Sequence, residues 1–142
     1  MPKNISRFHL AFPVHDLEEA RNFYVNIIGC TTGRESDKWI DFDLYGHQIV
    51  AHLSPEDCST VGTNHVDKDN IPCRHFGLIL EWKDWETLQN RIKKLNHGFL
   101  VAPKIRFKSK PGEQGTFFIN DPSGNALEFK TFKKDSMVFE NF

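Results

Sequence analysis

The feature that most constrains the fold of this chain is an order of predicted elements that occurs twice. In each copy a strand is followed by a helix that ends at a glycine and then by a pair of strands. The first copy consists of a strand at 7–14, a helix ending at Gly29, and strands at 39–44 and 47–53. The second copy consists of a strand at 74–81, a helix ending at Gly98, and strands at 116–120 and 125–132. The order predicts a structural repeat of about 60 residues.

Local signals support these elements. Asp16 is a typical N-cap, Glu19 follows at the capping-box spacing, and Gly29 suits the left-handed position that ends a helix. Asp84 is the predicted N-cap of the second helix. The segment 39–44, WIDFDL, alternates apolar and acidic residues with the period of two that is typical of a half-buried strand.

The repeat predicts how the chain is organised. We expect a single domain over residues 1–142, with module one at about 6–54, a linker at about 55–72, module two at about 73–132 and a tail at 133–142. The stretch 99–115 lacks periodicity and is predicted to be irregular. Two copies are too few for a helical solenoid. The prediction is an α+β fold in which two paired βαβββ modules form a cupped mixed β-sheet with flanking helices.

Composition and charge exclude several classes of function. The 18 Lys and Arg residues nearly balance the 19 Asp and Glu residues, so no basic excess favours nucleic acid or an anionic membrane. No apolar run approaches the about 18 residues of a membrane span. Three cysteines without C-x-x-C spacing, and an N-terminus unlike a signal peptide, are typical of a reduced, cytoplasmic protein. We therefore expect a small-molecule partner.

Three residues are candidate metal ligands. His9 and His75 occupy matching positions near the start of the first strand of each copy, and Glu128 lies between Leu127 and Phe129 on the last strand. An ionisable residue between large apolar ones must face water or a charge partner. Two histidines and one carboxylate form the ligand set of non-haem Fe(II) oxygenases. From the residues alone, each of the three can also be a structural or surface residue, and both interpretations stay open.

Longer motifs carry a resemblance to a known family. The segment DPSGNALEF at 121–129 resembles the last-hairpin motif of the vicinal oxygen chelate superfamily. That superfamily contains glyoxalase I, extradiol ring-cleavage dioxygenases, fosfomycin-modifying enzymes and bleomycin-sequestering proteins. Residues 8–24 are similar to its first βα unit, 42–53 to its hairpin and 74–80 to the opening of its second module. The resemblance implies paired modules around a divalent metal ion, with ligands at His9, His75 and Glu128.

The resemblance also implies the position of a fourth ligand, on the hairpin of the first half. Counted from the preceding glycine, the counterpart of Glu128 is Val50, which cannot bind a metal ion. Gln48 and His52 lie on the same strand face, and a slip in register would make either one a ligand. Glyoxalase-type isomerases of the family use four protein ligands, whereas extradiol dioxygenases use two His and one Glu. We therefore expect an Fe(II) site, with Zn²⁺, Ni²⁺ or Mn²⁺ as alternatives.

Other residues are candidates for handling the substrate. Extradiol enzymes commonly carry a tyrosine shortly before the ligand glutamate, where this chain has Phe118. His52 is the candidate acid/base, or else a polar residue of an unused cavity wall. Predicted substrate contacts lie in the irregular stretch and among the aromatic residues: Arg106, Glu113, Gln114, Trp39 and Phe118. For the irregular stretch, a solvated basic loop is the alternative.

Together these features predict a metal-dependent, extradiol-dioxygenase-like enzyme that binds a substrate with two vicinal oxygens and forms a homodimer. Two alternatives stay open. The first is a glyoxalase-like lyase or isomerase with a fourth ligand. The second is a metal-free protein that sequesters a flat apolar compound.

Overall fold

The computed structural model describes residues 5–59, 62–66 and 69–141, which form two compact units. Unit 1 takes the chain to Ser59 together with Pro122–Asn125, and unit 2 takes Thr60–Asp121 together with the chain from Ala126. In chain order the strands are β1 (His9–Val14), β2 (Thr31–Glu35), β3 (Trp39–Leu44), β4 (His47–Leu53), β5 (Thr63–Val66), β6 (Asp69–Pro72), β7 (Phe76–Ile79), β8 (Val101–Arg106), β9 (Gln114–Asn120) and β10 (Ala126–Phe132). The helices are α1 (Leu17–Arg21), continued by a π-helical segment (Asn22–Ile28), and α2 (Trp82–Lys94), with 3₁₀ turns at Pro55–Asp57 and Asp135–Met137. No helix among the described residues is long and apolar enough to cross a membrane.

Both units contain a four-stranded sheet with the same strand order. The order is β1-β4-β3-β2 in unit 1 and β7-β10-β9-β8 in unit 2. The parallel pairs are β1 with β4 in unit 1 and β7 with β10 in unit 2. All other neighbouring strands of the two sheets are antiparallel. This shared topology confirms the two βαβββ modules and the α+β class that the element order predicted.

The first helix begins and ends where its signals predicted. Asp16 Oδ1 accepts a hydrogen bond of 2.9 Å from the backbone N–H of Glu19, and Gly29 takes the left-handed conformation with φ 99°. The second part of the helix is π-helical, a wider turn that was not predicted. It carries two consecutive buried aromatic rings, Phe23 and Tyr24, in edge contact at 4.8 Å.

Strand alternation places His9 away from this helix. Phe12 and Val14 of β1 are buried, and the Phe12 ring lies 5.4 Å from that of Tyr24. Because successive side chains of a strand point to opposite faces, His9 and Ala11 lie on the other face, where both are exposed.

Helix α2 packs against one face of the sheet of unit 2 and leaves the other face for Glu128. The Trp85 indole packs on Phe117 at 5.9 Å, and its Nε1 donates a hydrogen bond of 2.9 Å to the carbonyl oxygen of Phe129. A Cβ on Gly115 would lie 2.8 Å from the Trp85 ring, so glycine permits this close packing. Glu128, one residue before Phe129, therefore lies on the sheet face opposite α2.

The second helix differs from the prediction at both ends. Its N-cap is Glu81, whose carbonyl oxygen accepts from the N–H of Trp85 at 2.9 Å, so Asp84 lies in the first turn instead. The carboxylate of Asp84 still interacts favourably there with the positive end of the helix dipole. The helix ends at Lys94, and Asn96 takes the left-handed conformation with φ 56°, ahead of the predicted Gly98. Asparagine is the residue that most readily replaces glycine at such a position.

The segments predicted to lack structure contain strands. The irregular stretch 99–115 contains β8, which carries Pro103 and a register shift between Val101 and Lys104. The predicted linker contains the 3₁₀ turn and the β5–β6 hairpin, and β2 was not predicted. These are edge strands or a separate two-stranded hairpin, and their buried residues, such as Ile71 and Val101, do not alternate regularly with exposed ones. Residues 60, 61, 67 and 68 of the predicted linker and residue 142 of the predicted tail lie outside the described residues.

Candidate metal centre

In unit 1, His9 is held by Gln48. His9 pairs with Gln48 in the register of β1 and β4, and its Nδ1 lies 2.8 Å from Gln48 Oε1. The Gln48 amide group donates from Nε2 to Asp41 Oδ2 at 3.5 Å, which assigns Oε1 as the atom that faces the imidazole. An amide oxygen can only accept, so His9 Nδ1 carries a proton, and in the neutral ring Nε2 then keeps a lone pair for another ligand.

In unit 2, His75 is held in the same manner. It lies one residue before β7, not within the strand as predicted, and its Nδ1 is 2.8 Å from the carbonyl oxygen of Pro72. The carbonyl can only accept, so Nδ1 donates. The ring also makes an edge contact with Phe118, with centroids 5.1 Å apart. His75 Nε2 is thereby directed at Glu128.

Glu128 is the partner of His75 on β10. Its Oε1 lies 3.3 Å from His75 Nε2, and its Oε2 accepts a hydrogen bond of 2.5 Å from Thr116 Oγ1. The side chains of His75 and Glu128 are 30% and 16% exposed. When His75 is neutral with its proton on Nδ1, a nitrogen lone pair faces a carboxylate oxygen, and a proton or metal cation between them is needed to make the contact favourable. The pair therefore fits a cation site.

The donor chemistry of all three residues fits a divalent metal ion. Histidines that bind metals usually donate their second N–H to a carbonyl, carboxylate or water, as both His9 and His75 do here with an oxygen acceptor. Within the described ranges, neither unit alone brings together three His, Cys, Asp or Glu side chains that could hold a metal ion.

Strand register identifies the residue of unit 1 that corresponds to Glu128. Gly77, two residues after His75, pairs with Glu128, and Ala11, two residues after His9, pairs with Val50. Val50 is therefore the counterpart of Glu128, as its spacing from the preceding glycine predicted, and it is only 5% exposed. The pairing of β1 with β4 runs from His9–Gln48 to Val14–Leu53 without a shift.

The candidate acid/base His52 and the candidate substrate contact Trp39 lie on the same face of the sheet of unit 1. His52 is exposed and pairs with Trp39 of β3 on one side and with Pro13 of β1 on the other. It is two residues from Val50, so their side chains share a face with that of His9. The structure thus makes His52 and half-buried Trp39 cross-strand neighbours on the same sheet face as His9.

Two of the predicted substrate residues of unit 2, Arg106 and Gln114, lie in strands, which corrects their placement in an irregular stretch. Arg106 is the last residue of β8 and pairs with Gln114, the first residue of β9. Gln114 in turn pairs with Phe132, four residues after Glu128 on β10. Arg106 and Gln114 therefore share the sheet face of Glu128. They lie about 13 Å from Glu128 along the strand direction, since four residues of β10 rise about 3.3 Å each.

Glu113, the third of these residues, shapes a turn. Its Oε1 accepts a hydrogen bond of 3.1 Å from the N–H of Ser109. Its backbone N–H donates to the carbonyl oxygen of Lys110 at 3.2 Å, and its own carbonyl oxygen accepts from Lys133 at 2.8 Å. These contacts hold the segment between β8 and β9.

Sequence reasoning missed Thr116. The residue is buried in β9 and holds the candidate ligand Glu128. One signal could have found it: the DPSG turn sets the hairpin register that pairs Phe118 with Glu128. Thr116, two residues from Phe118, then lies on the same face as Glu128 and within reach of its side chain.

Comparisons with known proteins agree with the fold described above. The family model of the Glyoxalase/Bleomycin resistance protein/Dioxygenase superfamily matches residues 7–129. A solved structure of a glyoxalase/bleomycin resistance protein/dioxygenase from Alicyclobacillus acidocaldarius is 34% identical, covers 97% of this chain and 100% of its own, and has a TM-score of 0.79. A genomically encoded fosfomycin resistance protein from Listeria monocytogenes is 17% identical, with coverage of 96% and 98% and a TM-score of 0.62. Lactoylglutathione lyase from Agrobacterium tumefaciens is 15% identical, with coverage of 99% and 98% and a TM-score of 0.62. The last two share the fold.

Proposed function

Because the chain belongs to the glyoxalase/bleomycin resistance protein/dioxygenase superfamily, we propose that it is an enzyme that binds one divalent metal ion through His9, His75 and Glu128. The observation that supports this proposal is the contact of 3.3 Å between His75 Nε2 and Glu128 Oε1. When His75 is neutral, with its Nδ1 proton donated to Pro72, the lone pair of Nε2 faces the carboxylate of Glu128. A metal cation bound to both would satisfy them.

The proposed activity is extradiol-dioxygenase-like, on a substrate with two vicinal hydroxyl groups. Imidazole and carboxylate ligands suit Fe(II), the proposed metal, and also accept Zn²⁺, Ni²⁺ or Mn²⁺. When bound, the metal ion would supply Lewis acidity to the substrate oxygens and a place for O₂. Val50 at the fourth-ligand position favours this activity over a four-ligand isomerase, because a hydrocarbon side chain leaves that position free for substrate.

The chain's own residues would bind and orient the substrate. His52 is the proposed acid/base, since an exposed imidazole on the face of His9 can accept a proton from a substrate hydroxyl. Phe118 packs against the His75 ring and holds it in place, and Trp39 offers an apolar wall. Arg106 would bind an anionic group of the substrate. Both oxygen atoms of O₂ would enter the product, so no further reductant is required.

Elemental analysis and oxygen uptake test the proposal together. The protein is purified without tag or chelator, analysed for metals, reconstituted anaerobically with Fe(II), and assayed over a panel of catechols. We expect one metal ion per chain, and uptake that is lost in His75→Ala but kept in the control His65→Ala, which removes an exposed histidine of the same unit. Uptake that persists in His75→Ala contradicts the proposed site.

Other outcomes would identify the alternatives. Activity on a hemithioacetal without O₂, with Ni²⁺ or Zn²⁺ bound and lost in His52→Ala or Gln48→Ala, identifies a lyase or isomerase with a fourth ligand. Binding of a flat apolar compound that is unchanged by a chelator identifies a sequestering protein.

We also propose a homodimer, which light scattering of the purified protein would detect as twice the mass of 16.5 kDa.

A further inference from the structure

Thr116 is a buried residue whose side chain reaches the candidate ligand Glu128. It is 2% exposed and pairs with Lys130, so it lies diagonally across the β9–β10 pair from Glu128. Its Oγ1 lies 2.5 Å from Glu128 Oε2. An ionised carboxylate can only accept, so the hydroxyl donates. A hydroxyl–carboxylate bond of this length belongs to the stronger hydrogen bonds of proteins.

The two oxygens of Glu128 consequently have different partners. Oε2 accepts from Thr116, and Oε1 faces His75 Nε2 at 3.3 Å. A carboxylate can bind a metal ion through one oxygen or through both. Binding through both would require Oε2 to weaken or break its bond with Thr116, whereas binding through Oε1 alone keeps that bond.

We propose that Thr116 is a positioning residue that makes Glu128 a one-oxygen metal ligand. This inference rests on the proposed function and deepens it. Binding through one oxygen would use one position around the metal ion and leave the others for further ligands and a chelating substrate. A carboxylate that bound through both oxygens would take one of those positions.

A second buried threonine offers a matched control. Thr131 lies on the opposite face of β10 and is 0% exposed. Among the described residues its Oγ1 has no hydrogen-bond partner, unlike that of Thr116. Replacing threonine by valine removes the hydroxyl group while nearly preserving the volume. The pair of variants therefore separates loss of the Glu128 contact from a general effect of a buried substitution.

The test is a titration of the metal-free protein with Co²⁺, read by the dissociation constant and by the visible spectrum of the bound ion, which reports its ligand number. We expect Thr116→Val and Thr116→Ala to bind about 10- to 100-fold more weakly than wild type, with an altered spectrum. Thr116→Ser keeps a hydroxyl group and should restore both readouts. Thr131→Val should match wild type, and Glu128→Gln should lose binding.

Two different failures can be told apart. If Thr116→Val and Thr116→Ala bind Co²⁺ with the wild-type affinity and spectrum while Glu128→Gln loses binding, the positioning role is wrong and the proposed site survives. If wild type binds no Co²⁺, or Glu128→Gln binds it unchanged, the proposed function is wrong and this inference falls with it. Thermal unfolding of each variant confirms that folded protein is compared, and the alanine variant decides if the valine variant does not fold.

Discussion

Replacement of Gly77 by alanine should separate β7 from β10 at the candidate site. Gly77 pairs with Glu128. A Cβ built on Gly77 would overlap the carbonyl oxygen of Glu128 and lie 2.7 Å from its carbonyl carbon, whereas ordinary van der Waals contact begins at 3.4 Å. The atoms that it meets belong to the backbone of a central strand, so no side-chain rotation can relieve the overlap. One strand must move.

The cost of this movement follows from the contacts that it breaks. Overpacking alone costs about 1–3 kcal/mol, and each backbone hydrogen bond lost between the strands costs about 1 kcal/mol more. We expect Gly77→Ala to lower the free energy of unfolding by about 4 kcal/mol. For a chain of this size, that corresponds to a melting temperature lower by about 12 °C. His75, two residues before Gly77, should move relative to Glu128, so metal affinity should fall as well.

Thermal unfolding followed by circular dichroism measures the effect, and Gly98→Ala is the control. A Cβ on Gly98 meets nothing within 4 Å, and the residue is not in the left-handed region. That substitution should be neutral or stabilise the protein by about 0.5 kcal/mol. The reasoning is refuted if Gly77→Ala melts within about 2 °C of wild type.

Three further substitutions test other parts of the account. Asp16→Ala removes the cap of α1 and should lower the free energy of unfolding by about 1 kcal/mol in urea, with Asp16→Asn close to wild type; equal losses in both contradict the cap. Trp85→Phe leaves the Phe129 carbonyl oxygen without its donor and should cost about 2 kcal/mol; a neutral result contradicts that role. Burial, with a smaller effect of Asp43, raises the pKa of the Cys30 thiol from 9.0 to about 12. The native state then keeps a proton that the unfolded state releases, so the stability of wild type relative to Cys30→Ala should fall as the pH rises from 9 towards 12; a constant difference contradicts the burial effect.

The elements that could be predicted are those whose local signals agree with their tertiary role. Asp16 and Gly29 mark a helix that needs both a cap and a left-handed end, and the alternation in β3 matches a strand with one buried face. Strands β2 and β8 could not be predicted. The first is exposed along its whole length and the second carries Pro103 near a register shift, so neither has an alternating pattern.

The candidate ligands could be predicted as residues, but their supporting contacts could not. Matching positions in the two copies pointed to His9 and His75, and the register of β1 with β4 agrees with Val50 as the counterpart of Glu128. The hydrogen bond from Thr116 joins two strands across their register. Spacing from the DPSG turn gives the face that Thr116 shares with Glu128, but the contact itself depends on the reach of two side chains that are diagonal neighbours.

Anomalous diffraction from crystals of the metal-loaded protein, collected at the absorption edge of the bound metal, tests the central claim most directly. The account predicts one strong peak per chain, coordinated by Nε2 of His9, Nε2 of His75 and one oxygen of Glu128. A metal ion bound by His52 or Gln48 in place of one of these residues would contradict it. So would a metal ion bound elsewhere while His75 and Glu128 contact only each other.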